Sequence, residues 1–157
     1  MSFEKLGRLT RPEKTGRPVR VSNDGQPEWK AIGVTIAWEL VAAQAGADTE
    51  LPDGTPVKIG QKAIRFGTVL VKLTSGPYAG QYAPFVDGGA NGQGTLTRDD
   101  CGILDQTVLE WEVGSSIKGL IEGGGVYRQR LNVGAAPLPA LAAVVAAMPR
   151  LRLSPVE

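Results

Sequence analysis

Between positions 31 and 40 apolar and polar residues alternate one for one. Ile32, Val34, Ile36, Trp38 and Leu40 fall on one side, and Ala31, Gly33, Thr35, Ala37 and Glu39 on the other. A period of two with large apolar groups on one side predicts a strand buried on one face. Residues 41–45 (Val-Ala-Ala-Gln-Ala) favour a helical turn before Gly46, and Leu51-Pro52-Asp53-Gly54-Thr55-Pro56 has the chemistry of a tight turn, because Asp-Gly tolerates positive φ. Short strands are predicted to follow near 57–59, 63–73, 81–86, 101–104, 106–113, 116–121 and 126–133, each closed by Gly or Pro. Within 107–113, Thr107, Leu109, Trp111 and Val113 alternate with Val108, Glu110 and Glu112. Many short strands between glycine-rich turns predict an all-β fold, a small barrel or sandwich. No long amphipathic helix interrupts them, which disfavours a parallel βαβ sheet.

Near the C-terminus the period changes. In 138–148, Leu138, Leu141, Val144, Val145 and Met148 form one apolar face among alanines. Pro139 sits in the first turn and Pro149 follows the end, so one short helix is predicted. Residues 150–153 alternate arginine with leucine and read as a last edge strand.

The first 27 residues follow neither period. Lys5, Arg8, Arg11, Lys14, Arg17 and Arg20 recur every third position, which matches no buried face. Arg11-Pro12 and Arg17-Pro18 argue against a helix. Residues 1–27 are therefore read as an extended basic arm, and 28–157 as one β-rich domain. Six cations stand against Glu4 and Glu13 in the first twenty residues, an excess of four. The whole chain of 157 residues carries +1, so the remainder is negative by about three. Three readings of the arm compete: phosphate contacts to nucleic acid, an inert tail, or a strap that adds as a strand to an acidic protein surface. Phe3 is its only aromatic residue and the body would repel a polyanion, so the strap is preferred.

Composition narrows the chemistry. There is no histidine, which removes Ser-His and Cys-His nucleophiles and His-ligated metals. The single cysteine, Cys101, removes intrachain disulfides and cysteine-cluster zinc sites. No apolar segment has the length or placement of a secretory signal or a membrane span, so a soluble protein made in the cytosol is expected.

Four groupings remain. Gly88-Gly89-Ala90-Asn91-Gly92-Gln93-Gly94 resembles a phosphate-cradling loop, yet lacks the Lys-Ser/Thr ending of a P-loop and reads better as a strand connection. Gly123, Gly124 and Gly125 would let two strands, or two subunits, approach closely. Cys101, beside Gly102-Ile103-Leu104, reads as a buried structural thiol. Asp99, Asp100 and Asp105, with Glu110 and Glu112 nearby, could hold a cation or act as acid and base, but also read as solvated turn residues.

An ordered set of motifs adds a resemblance. Val57-Lys58-Ile59-Gly60, then Ile64-Arg65-Phe66-Gly67-Thr68-Val69-Leu70-Val71-Lys72-Leu73, Gly80-Gln81-Tyr82-Ala83-Pro84-Phe85 and Cys101-Gly102-Ile103-Leu104, resembles the lambda-type bacteriophage head decoration (capsid cement) proteins. Val126-Tyr127-Arg128-Gln129-Arg130-Leu131-Asn132 is a loose further counterpart, and the helix with its Arg-Leu-Arg-Leu tail extends the similarity to residue 153. Residues 29–56 and the 112–122 region depart from the pattern. The resemblance implies a β-tulip-like domain that forms homotrimers on the outer capsid surface and clamps the major capsid protein against packaged DNA. On this reading the protein is no enzyme and needs no cofactor or metal, nucleic acid or membrane. Arg8, Arg11, Lys14, Arg17 and Arg20 form the capsid-binding arm. Trp111, Gly123, Gly124, Gly125 and Tyr127 make trimer or core contacts. The alternatives are a trimeric metal-assisted β-barrel nucleotide hydrolase using Asp99, Asp100 or Asp105, and a β-barrel module that binds a small ligand.

Overall fold

Apolar runs too short for a helix and too continuous for a one-sided strand occupy the centre of the sequence: Val69-Leu70-Val71, Cys101-Gly102-Ile103-Leu104 and Leu120-Ile121. Such runs suit strands covered on both faces. In the computed structural model, which describes residues 28–30, 33–114, 116–117, 119–132 and 139–154, all three lie side by side in one sheet. Its strands are β1 (Glu28–Trp29), β6 (Val69–Lys72), β7 (Tyr82–Pro84), β8 (Cys101–Leu104), β11 (Leu120–Tyr127) and β12 (Leu151–Ser154). The order is β1-β11-β8-β6-β7, with β12 also paired to β11. Three two-stranded pairs complete the β structure: β2 (Val34–Thr35) with β10 (Ser116–Ile117), β3 (Thr49–Glu50) with β4 (Pro56–Val57), and β5 (Ala63–Ile64) with β9 (Val108–Leu109). The protein is mainly β, sandwich-like, with two short helices, α1 (Glu110–Val113) and α2 (Pro139–Ala147). Its sheets do not close into a barrel.

The central sheet divides the core in two. Val69, Val71, Cys101, Ile103, Ile121 and Val126 face Val144, Ala147 and Met148 of the α2 region, together with Leu151. Leu70, Leu104 and Leu120 face the opposite way, onto Val34, Ile36, Trp38, Val41, Ile64 and Ile117. Alternation along each strand thus feeds both layers, which is why no polar position interrupts the runs.

Several local expectations hold. The 51–56 turn closes the β3–β4 hairpin, with Leu51 N–H donating to Thr55 O (2.9 Å) and Gly54 at φ +79°. The expected C-terminal helix is present at Pro139–Ala147, and 151–154 pairs as a strand.

Others are corrected. The 31–40 alternation buries Val34, Ile36 and Trp38, but Trp38–Leu40 winds into a 3-10 turn and leaves Leu40 exposed; residues 31 and 32 lie outside the described residues. The helical turn expected at 41–45 does not form. The predicted 106–113 strand stops at Leu109, where pairing with Ala63 ends, and the chain coils into α1. Gly114, at φ +61°, closes that turn by donating to Glu110 O (2.9 Å). The predicted strands 116–121 and 126–133 are joined differently: Gly123, Gly124 and Gly125 run through the middle of β11, and Arg128–Arg130 forms a 3-10 turn. A parallel βαβ sheet is disfavoured by the sequence, and the named strands pair antiparallel except β11 and β12, which pair in parallel across the connection that contains α2. Among the described residues no helix is long and apolar enough to cross a membrane.

Candidate functional site

Arg8, Arg11, Lys14, Arg17 and Arg20 lie outside the described residues. The point where their segment joins the body is described. β1 pairs antiparallel with β11, Glu28 opposite Gly123 and Trp29 opposite Ile121, and Lys30 N–H donates to Leu120 O at 2.9 Å. Two cations and two carboxylates alternate around this strand. The Lys30 ammonium donates to Glu122 Oε2 (3.4 Å) and to the backbone oxygen of Asp99 (2.8 Å). The Arg150 guanidinium reaches Glu122 Oε1 (2.9 Å) and Glu28 Oε2 (2.8 Å). Each exposed pair contributes less than about 1 kcal/mol. Together they tie the first strand to the centre of the sheet and to the turn before β12. Sequence reasoning missed this lattice because its members are separated by up to 122 positions (28 to 150) and share no motif.

The three glycines explain how β1 and β12 come so close. A Cβ at Gly123 would lie 2.7 Å from Glu28 Oε2 and 3.0 Å from Arg150 Cβ. Gly124 adopts φ +97° opposite Leu151. Gly123 thus makes one of the close approaches expected of these residues, between strands of one chain. Tyr127, half-buried at the end of β11, has the Arg130 guanidinium 5.1 Å from its ring centre.

Trp111 does not enter the chain's own core. It is 65% exposed on α1, which has no buried residue. α1 is nonetheless firmly seated. The Trp38 indole N–H donates to Gly114 O (2.6 Å), Lys62 O accepts from Glu110 N–H (3.0 Å), and the Lys62 ammonium donates to Trp38 O (2.7 Å). These bonds bring the 38–40 turn against α1. Glu39, Leu40, Glu110, Trp111 and Glu112 all stay exposed there.

The remaining candidates do not converge. In the 88–94 loop the N–H groups of Gly89, Gln93 and Gly94 donate to Val86, Ala90 and Gly89 carbonyls, so these donors close the loop on itself and do not point to a phosphate. Asp99 is exposed at φ +69° and Asp100 lies 3.7 Å from the Lys72 ammonium, whereas Asp105 is buried at the other end of β8. Glu110 and Glu112 stand apart on α1. Among the described residues no three His, Cys, Asp or Glu side chains are grouped to hold a metal ion. A small open cleft lies between Arg98, Cys101, Glu122, Met148 and Arg150. Burial pushes the Cys101 thiol up to about 11, with Asp100, Asp99 and Glu122 adding to the shift and Lys30 opposing it, so the thiolate that nucleophilic chemistry needs is suppressed. Tyr82 is also raised, first by burial and then by Asp100.

No family model, curated protein or solved structure matches this chain.

Proposed function

We propose that the protein is a phage capsid decoration protein: a non-enzymatic body that attaches to the outside of the expanded head, as homotrimers, through its basic leading segment. The observation that carries this reading is the junction of segment and sheet. The basic segment precedes β1 in the chain, with residues 21–27 between Arg20 and Glu28, and β1 is both hydrogen-bonded and ion-paired to β11. β11 in turn adjoins the fully buried β8, and then β6, whose Val69, Leu70 and Val71 are buried. A pull on the segment is therefore transmitted into the rigid centre of the body, as a cement protein under shell pressure requires. The motifs behind the resemblance also support it, because Val69–Lys72, Tyr82–Pro84 and Cys101–Leu104 form three adjacent strands in the order β8-β6-β7.

Ordering an extended segment costs about 1–2 kcal/mol per residue, so strand-type hydrogen bonds and several arginine contacts to the capsid protein must exceed that cost. Three segments on one trimer raise the effective concentration and convert modest single-segment affinity into durable attachment.

Co-sedimentation of full-length protein and a 21–157 truncation with expanded heads of the same phage tests the proposal. Full-length protein is expected to pellet with the heads and the truncation to remain in solution, with its circular dichroism unchanged. Equal pelleting of both would sink the strap, and failure of the intact protein to bind any expanded head would sink the assignment.

A further inference from the structure

Tryptophan is costly to leave in water, yet the indole of Trp111 is held out on a turn with no buried residue. Leu40, 39% exposed, is carried on the neighbouring turn. The bonds of Trp38 to Gly114 and of Lys62 to both turns fix these two segments together, so the apolar pair is a built feature of one end of the molecule. Glu39, Glu110 and Glu112 are exposed on the same two turns. Lys62, the basic residue that joins the turns, has its ammonium occupied by Trp38 O. The patch is therefore apolar and acidic.

We propose that this end, centred on Trp111, is a docking pad for the basic N-terminal segment of a second copy of the chain. The charge is complementary: residues 1–20 carry an excess of four positive charges, against the body's deficit of about three. The chemistry is complementary as well. Four of the six cations are arginines, whose planar guanidinium stacks on an indole face while its fork binds carboxylate. In a polyproline II conformation, with three residues per turn, a repeat of three sets successive cations on one face about 9 Å apart, so one can stack while its neighbours reach Glu110, Glu112 or Glu39.

Strand direction favours the second copy over the same one. From Glu28 to Trp38 the chain passes Gly123, then Leu120, Ile117 and finally Gly114 at α1. The basic segment thus joins β1 at the end remote from its own pad and would have to double back along β11 and β10 to reach it. A neighbouring copy's pad needs no such reversal. A contact of this kind is head-to-tail and closes into a ring when the rotation allows. The inference goes beyond the capsid reading and does not depend on it, but the two contacts draw on the same cations and so compete.

Zero-length carbodiimide cross-linking of an equal mixture of ¹⁴N- and ¹⁵N-labelled full-length protein provides the test. Lys5 and Lys14 are expected to link to Glu110, Glu112 or Glu39 in pairs that mix the two isotopes. The yield is expected to fall at least about fivefold in roughly 0.5 M NaCl, where the screening length is only a few ångströms. It should fall similarly in Trp111→Ala, which lies outside the buried core, and in the combined variant R8Q/R11Q/R17Q/R20Q, with the circular dichroism of both unchanged. Links of one isotope only would place the segment on its own molecule and overturn the proposal. Absence of these links, or yields indifferent to the Trp111 and arginine changes, would overturn it too. Head co-sedimentation is scored separately, so loss of head binding with the links intact sinks only the capsid reading.

Discussion

Gly102 is a position at which the central sheet has no room for a side chain. It lies in β8 opposite Leu70 of β6, fully enclosed, with β11 on its other flank. A Cβ there would stand 2.9 Å from Leu120 Cβ, 3.3 Å from Leu120 Cδ1 and 3.4 Å from Ile121 O. The nearest obstacle is a Cβ fixed to the backbone of β11, which is itself paired to β1, β8 and β12, so the neighbour cannot swing away. Overpacking of this kind costs about 1–3 kcal/mol. Removing a glycine from the unfolded chain returns about 0.4–1 kcal/mol. Gly102→Ala is therefore expected to destabilise by about 1–2 kcal/mol, measured as a lower urea midpoint at constant slope. The partner changes discriminate the cause. Leu120→Ala trims the side chain but keeps its Cβ, so most of the Gly102→Ala cost should persist in that background. Leu120→Gly removes the obstacle, and there the cost should vanish or reverse. A Gly102→Ala cost below about 0.5 kcal/mol, or one equal in the Leu120→Gly background, would refute the argument from close packing.

Cys101 provides a pH-dependent readout. Its folded pKa, about 11 against an ordinary 9.0, means that the folded state holds the thiol proton more tightly, so its contribution is complete below pH 9 and is lost as pH rises through 11. The loss is on the order of 1–3 kcal/mol, and denaturant titrations of Cys101→Ala should show a flatter decline across that interval than the parent. An identical decline in both proteins would contradict the burial argument. Gly124→Ala forces an L side chain to φ +97° and is expected to cost about 1–3 kcal/mol, read from thermal unfolding. Trp111→Ser, by contrast, should leave the melting temperature of the isolated protein nearly unchanged, within about 0.5 kcal/mol, because the indole is 65% exposed. A large loss would mean that Trp111 is structural.

Element type was legible where a single period governed a segment. Pro139–Ala147 combined alanine-rich composition with prolines at start and stop, and the structure keeps those bounds closely. Asp53-Gly54 named its turn because the left-handed backbone there needs glycine. The pattern misled where pairing, not periodicity, set the limits. Residues 107–113 alternate well enough for a strand, but pairing with the 62–64 segment ends at the Glu110 N–H to Lys62 O bond, and the chain coils from there. Gly123, Gly124 and Gly125 looked like a break in the chain and are the interior of the longest strand; at Gly123 the missing side chain leaves room for the Glu28 and Arg150 side chains.

The candidate site was split in the same way. The basic segment could be read directly, since charge and proline content are properties of local sequence. The Lys30–Glu122–Arg150–Glu28 lattice could not, because its order exists only after β1, β11 and the turn before β12 are assembled. The exposure of Trp111 was equally hidden: an indole in an alternating segment looks internal until the strand ends two residues before it.

The sequence by itself determined that the chain is β-rich, lacks histidine chemistry, has a short helix near its C-terminus and carries its positive charge at the front. Each of these follows from residue type, turn propensity or local period, which need no knowledge of distant partners. Only the tertiary structure decided the open strand order, the parallel β11–β12 pair, the anchoring of β1 and the outward display of Trp111. Those depend on which segments share hydrogen bonds and burial across the fold, a competition among long-range contacts that no local window contains.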